Sequence, residues 1–288
     1  MEECPITGPP DEAFTLDPEG RLYHAARLEA AAPVVAVFTT RRGGVSRGHL
    51  DSCNLGLAVG DDPEAVLTNR RRALERAGLA LPSVVAAEQV HGGRVARVGR
   101  HEAGRGATTR ETAIPGVDAL VTDEPGLTLM IGCADCVPVY LVDPERPAIG
   151  LAHAGWRGTV ARIAAEAVRA MTEAFGSRPE AILAAVGPSI GPCCYEVDEP
   201  VAGPVRRAFG EDAQTLLAPA GRPDRWFLDL WAANRQALLD AGLRPENIGV
   251  AGVCTSCNQD RFFSHRASGG KAGRMAALLA IRPSTPAH

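Results

Sequence analysis

Apolar positions along this chain gather in short, β-branched runs more often than at helical spacing. Val34 to Thr40 is such a run and reads as a strand, leading into the polar, tight loop Arg41-Arg42-Gly43-Gly44-Val45-Ser46. Val84 to His91 reads as another, ending at His91-Gly92-Gly93, and strand-like runs follow at Ala119–Thr122, Leu127–Ile131, Val137–Val142, Ala148–His153, Ala181–Val186 and Ile248–Val253. Helical spacing is rarer. Asp62 and Pro63 open a helix that runs through the basic stretch Arg70 to Arg76 and stops near Gly78, with Arg70 to Arg72 on a solvated face. Thr159 to Phe175 is closed by Gly176 and Pro179, Asp229 to Ala241 is ended by Gly242, and Met275 to Ile281 reads as the last helix. Residues 100–116 are rich in Gly, Thr and Arg without an apolar period and read as a flexible loop, a candidate lid.

This order clusters strands as hairpins around single helices and does not alternate βαβα. It predicts an α+β fold with mixed sheets in one domain over 1–288, with an ordered core from about 20 to 282. The fingerprints GxGxxG and GxxxxGK[ST] are absent, which gives no support to a dinucleotide or P-loop site.

Composition narrows the classes further. A 45% apolar content allows a sizeable core, and a net charge of −4 argues against a general nucleic-acid binder, which needs a basic surface. No run of eighteen apolar residues marks a membrane helix, and the acidic start MEECPITGPPDEAF lacks a signal-peptide core, so the expected location is the cytoplasm. Eight cysteines in a chain of 288 residues are too sparse for a disulfide scaffold and read as buried thiols, ligands or nucleophiles.

The chemistry concentrates between Gly132 and Thr159, where GCADC and GLAHAGWRGT place Cys136 and His153 at the ends of two strands. His91 in EQVHGG offers a third donor. His91, Cys136 and His153 would make a three-ligand zinc set with one position open, each flanked by small residues that let a substrate approach. Equally, Cys136 and His153 could form a nucleophile–base pair. Asp135 could shuttle a proton or orient a ligand histidine. Arg41, Asn54 and Arg157 lie in Gly-flanked loops and are candidates for holding phosphate or carboxylate. Trp156 could stack on a planar base or pack in the core. Two CxxC pairs, Cys133/Cys136 and Cys254/Cys257, could in principle share a Cys₄ zinc, but their long separation weighs against it, and the vicinal Cys193-Cys194 read as buried thiols. The HxE…PCxxC and HExxH signatures are missing.

The same residues carry a resemblance. FTTRRGGVS at 38–46, CNLGLAVGDD at 53–62, QVHG at 89–92, DALVTDEPG at 118–126 and ADCVPV at 134–139 occur in order. AHAGWRGT at 152–159, GPSIGPCCYEV at 187–197, CTSC at 254–257 and RFFSHR at 261–266 continue them. From Val34 to Ile281 the chain resembles the YfiH-like family, whose members are described as polyphenol oxidases, purine nucleoside phosphorylases and peptidoglycan-editing factors. The resemblance implies zinc on His91, Cys136 and His153; Cys133 is outside the family pattern. It implies a three-layer α/β-type arrangement with mixed sheets, similar to the Cys–His catalytic domain of deamidating necrotizing toxins. It also implies phosphorolysis of adenosine, inosine, guanosine and methylthioadenosine, adenosine deamination as a second reaction, and a monomer or homodimer. The alternatives are a copper-dependent laccase, for which only His91 and His153 of the seven histidines sit in suitable motifs, and a Cys–His amidase acting on peptidoglycan precursors. His265 stands where the family pattern has Tyr.

Overall fold

The structure, a computed structural model, describes residues 13–283; most of the acidic N-terminal stretch, up to residue 12, lies outside the described residues. Two six-stranded mixed sheets face each other. In the first, the strands run in the order Thr15–Leu16, Leu22–His24, Val34–Thr39, Met275–Ile281, Thr128–Cys133 and Val84–Ala86. Neighbours are antiparallel except for the last pair. In the second the order is Ile248–Val250, Leu183–Val186, Val137–Asp143, Ala148–Ala154, Ala119–Thr122 and Val95–Arg97, antiparallel in the middle and parallel at both edges. A small three-stranded sheet (Glu196–Val197, Trp226–Leu228, Leu217–Pro219) stands beside them.

Alternation along the strands sets the layers. Tyr140 and Val142, with Ile149 and Leu151, point into the core between the sheets and meet Phe38, Leu129 and Ile131. Val139 and Leu141 point the other way, onto the helices Ile163–Phe175, Glu199–Phe209 and Leu230–Asp240. The outer face of the first sheet (Val35, Val37, Met130, Leu278) is covered by Ala73 and Leu74 of the helix Pro63–Arg76. The result is four layers, helix–sheet–sheet–helix, where the resemblance implied three. The α+β class with mixed sheets stands.

Several local expectations hold and several change. Asp62 caps the helix Pro63–Arg76, its side chain accepting the Glu64 N–H, and Asp229 caps Leu230–Asp240 in the same way through Ala232. Met275–Ile281 is a strand, not a helix: it lies between Val34–Thr39 and Thr128–Cys133, fully buried on both faces. Pairing on both edges overrides the helical propensity of its Ala and Leu residues. The helix expected from Thr159 is two, Trp156–Val160 and Ile163–Phe175, broken at Arg162 with φ +58. Arg70 is not solvated. It is buried, and its guanidinium donates to the carbonyls of Leu55, Gly106 and Ala107. Residues 100–116 have no strand or α-helix, as their composition suggests, but they are tied in through Ala86, whose N–H donates to Arg105 and whose carbonyl accepts from Ile114.

Candidate metal centre

A β-hairpin builds most of the site. Asp143 turns it by accepting the N–H groups of Glu145 and Arg146, and the strands then pair from Asp143↔Ala148 to Val137↔Ala154. Continuing this register sets Cys136 opposite Gly155, two residues on from His153 at the end of the strand Ala148–Ala154. Gly155 leaves little room for a side chain: a Cβ there would sit 3.0 Å from Cys136 Sγ and 3.1 Å from His91 Cδ2.

His91 comes from the first sheet's side. After Val84–Ala86 the chain leaves strand geometry, and Gln89 and His91 both take positive φ (+57 and +61). Two clamps hold this unusual loop. The Gln89 carboxamide donates to and accepts from the backbone of Gly132 at 2.8 Å. The Asp118 carboxylate accepts the N–H groups of Val90, His91 and Gly92 at 3.1, 2.9 and 2.7 Å.

The same carboxylate accepts from His153 Nδ1 at 2.9 Å, and the Asp118 carbonyl accepts the His153 N–H at 2.7 Å. Asp118 therefore fixes the tautomer of one histidine and the backbone of the other, leaving His153 Nε2 free to bind. The ligand atoms of His91, Cys136 and His153 lie within 4.8 Å of one another. An imidazole–thiolate–imidazole set at this spacing fits zinc, with one side left for water or substrate, and the soft sulfur also suits copper.

Electrostatics reinforce the arrangement. Burial raises the Cys136 thiol, but the charge of His153 and contacts from His153 and His91 outweigh it and bring it down to about 6. Burial lowers His153, yet Cys136 and Asp118 together lift it to about 9. Burial likewise opposes ionisation of Asp118, and the bonds from His153 and the Gly92 and His91 amides nonetheless hold it below its ordinary value. Without metal, these shifts favour a thiolate beside an imidazolium between about pH 6 and 9.

The three residues line a cavity of about 580 Å³, within the usual size of small-molecule sites. Arg157 also lines it, stacked on Trp156 at 4.4 Å, so the stacking partner of that indole is a guanidinium. Asp135 reaches the cavity, but its carboxylate accepts from Thr255 Oγ1, Ser264 Oγ and the Arg266 N–H. It fixes the loop 255–266; the carboxylate that orients the His153 imidazole is Asp118. Arg41 and Asn54 are not brought to the cavity. The Arg41 guanidinium donates to the carbonyls of Asp51 and Gln259 and stacks on Phe263. Asn54 is buried, donates to Gly56 O and Asp61, and accepts from Gly56 and Arg274. In their place stand Arg110, Arg266, Arg274, His265 and Tyr195. The motifs RFFSHR and GPCCYEV contain three of these, and Asp118 heads the motif DALVTDEPG, a lone acid before an apolar strand. Neither spacing nor charge pattern told which side chains would turn inward.

The chain is 44% identical over 251 residues (87% of this chain, 91% of the other) to the purine nucleoside phosphorylase YlmD of Geobacillus stearothermophilus. It is 38% identical over 242 residues (83% and 91%) to adenosine deaminase RL5 of an unknown prokaryotic organism. The crystal structure of the Geobacillus YlmD superposes with a TM-score of 0.90 at 41% identity, covering 95% of this chain and all of that one. That of the Bacillus licheniformis hypothetical protein YfiH gives 0.89 at 37% identity, covering 93% and 99%. A family model described as multi-copper polyphenol oxidoreductase laccase matches residues 35–282. With its two facing sheets, its His–Cys–His corner and relatives matched over nearly their whole length, the chain belongs to the YfiH family.

Proposed function

We propose that this protein is a zinc-dependent purine nucleoside phosphorylase acting on adenosine, inosine, guanosine and methylthioadenosine, with adenosine deamination as a second activity. The observation that carries this reading is one cavity with His91, Cys136 and His153 on one wall and guanidinium groups around it. The names of the relatives, phosphorylase and deaminase, point the same way.

Phosphorolysis brings a phosphate dianion to the anomeric carbon of a ribose while a purine departs. Arg157 and Arg266, with Arg110, suit the phosphate oxygens, since guanidinium forks match oxyanion geometry. Arg266 is preorganised by its stack on Tyr195 and its bond to the Glu196 carbonyl. Holding phosphate and nucleoside together turns an encounter into an oriented, effectively unimolecular step. His265, also on the cavity wall, is the imidazole we assign to proton delivery toward the leaving purine. What a zinc ion on His91, Cys136 and His153 supplies is Lewis-acid chemistry at an open position, the requirement for hydrolytic deamination at C6.

A second reading rests on a specific observation. The lowered Cys136 and raised His153 form a thiolate–imidazolium pair, the nucleophile–base arrangement of an amidase. Copper oxidation has less support. His91 and His153 are the histidines that converge among the described residues, too few for a multicopper centre. The test is incubation of purified protein with adenosine, with and without phosphate, followed by chromatography and metal analysis. Phosphate-dependent adenine release that is lost on chelation and restored by zinc is expected, with inosine marking deamination. Adenosine turnover that survives chelation would overturn the zinc reading, and no adenosine turnover with release of ammonia from a peptidoglycan-precursor amide that is lost on alkylation of Cys136 would favour the amidase.

A further inference from the structure

Cys193, Cys194, Cys254 and Cys257 converge, their sulfur atoms all within 4.8 Å of one another. The long separation of the two CxxC pairs weighs against their meeting, and the fold keeps them apart. Cys133 is buried in the core between the sheets and Cys136 belongs to the first site. The second CxxC meets the vicinal pair because Ser189 and Cys254 bridge as neighbouring strands, with the Ser189 N–H donating to Val253 and the Thr255 N–H to Ser189.

We propose that in the reduced protein these four cysteines bind a second, structural zinc ion. Three observations carry the assignment. A tetrahedral Zn–S₄ centre with bonds of about 2.3 Å requires sulfurs roughly 3.8 Å apart, and Cys257 lies 3.6 Å from Cys193 and 3.4 Å from Cys194. The Cys254 sulfur accepts the Gly191 N–H at 3.2 Å and the N–H groups of Ser256 and Cys257, donors that stabilise a metal-bound thiolate. Finally, Gly191 leaves no room for a side chain: a Cβ would meet Trp231 at 2.7 Å and Cys193 Sγ at 3.2 Å, so the turn carrying the vicinal pair is pressed onto the fold.

Cys193, Cys194 and Cys254 are free thiols, while the Cys257 sulfur is held in a disulfide in this structure. Three ligands are thus available whatever the state of that bond, and reduction supplies the fourth. With a phosphine and water, the S–S bond takes two electrons and two protons, the phosphine leaves as its oxide, and Cys257 becomes a thiol. Zinc binding then releases the remaining thiol protons to solvent. The site would be closed, with every position filled by protein, and so structural rather than catalytic.

Its place explains what it would hold. Thr255, next to Cys254, donates to Asp135 Oδ1 at 2.7 Å, and Ile190 donates to the Asp135 carbonyl at 2.9 Å. Tyr195, next to Cys194, lines the cavity. The ion would lock together the two loops that form one cavity wall.

Full-length protein is loaded with zinc after phosphine treatment, freed of excess metal, and its metal content measured in wild type, His153→Ala and Cys193→Ser/Cys194→Ser. Two zinc ions per chain are expected in wild type and one in each variant. Loading with cobalt(II) keeps the test open should a variant fail to fold. Reduced wild type should show thiolate-to-cobalt charge-transfer absorption at two equivalents, most of it from the four-sulfur site. A Cys193→Ser/Cys194→Ser variant that keeps as much zinc as reduced wild type, or cobalt absorption in reduced wild type no stronger than a single thiolate ligand gives, overturns the proposal.

Discussion

Cysteine does opposite work in two regions of this molecule. At the first corner, Cys136 sits among two imidazoles, one buried and one exposed, beside a cavity, and a carboxylate orients the histidines. At the second, four sulfurs face each other between two loops, with backbone N–H groups donating to the Cys254 sulfur. A mixed donor set beside open space leaves a metal one position for chemistry; an all-thiol set between loops fills every position. The residue type is shared. What differs is which neighbours complete the set and whether a substrate can reach it.

The largest expected effect separates the two corners outright. Cys136→Ala should remove the metal of the first site and bring nucleoside turnover to background, while the second corner keeps its zinc; metal analysis beside a turnover assay reads both. Turnover close to wild type would break the comparison at its root.

Asp118→Asn should come next, weakening metal at the first corner by about 10- to 100-fold in a competition titration against a chelator. Unchanged affinity would mean that the carboxylate serves only the backbone of Val90 to Gly92.

Gly155→Ala should cost about 1–3 kcal/mol in unfolding free energy through overpacking against Cys136 and His91. Metal binding at the first corner should weaken with it, and an equal loss at the second corner would show the two to be less separate than drawn.

The pH dependence sharpens the contrast in metal-free protein. Because the Cys136 thiol is lowered from its ordinary 9.0 to about 6, alkylation mapped to that peptide should rise through about pH 6, and His153→Ala should move the rise upward. The stabilisation from the lowered thiol is present above its ordinary value and lost as pH falls through about 6. That from His153, raised from 6.5, is full below 6.5 and lost as pH rises through about 9. The ion pair therefore persists between about pH 6 and 9, and a rise in alkylation only near pH 9 would remove it.

The smallest effect belongs to Arg41→Ala. Its guanidinium is held by carbonyls and a ring, so the KM for phosphate should stay unchanged and stability should fall by no more than about 1 kcal/mol. Arg157→Ala, by contrast, should raise that KM. The reverse order would restore the sequence-based assignment of Arg41.

Much of the first corner was legible because its main unit is local. The Asp143 turn between two apolar strands fixes the hairpin register, and register alone puts Cys136 across from Gly155 and beside His153. The capped helix Pro63–Arg76 was legible for the same reason: Asp62, Pro63 and Gly78 act within a few residues. Loop residues were not. Arg41 and Asn54 carry the right chemistry in the right kind of loop, yet nearby carbonyls and side chains use up their hydrogen-bonding groups.

The sequence by itself determined the strand-rich α+β class, the hairpin, two capped helices, the family and the three side chains that converge at the first corner. Those features rest on period, turn chemistry and short-range spacing, which act along the chain. Only the tertiary structure decided that Met275–Ile281 is a central strand, that Arg70 is buried among carbonyls, that Asp118 ties His91 to His153, and that Cys254 meets Cys193 rather than Cys133. Each depends on partners far away in sequence, and neither propensity nor local spacing carries information about which distant group satisfies a buried donor, acceptor or sheet edge.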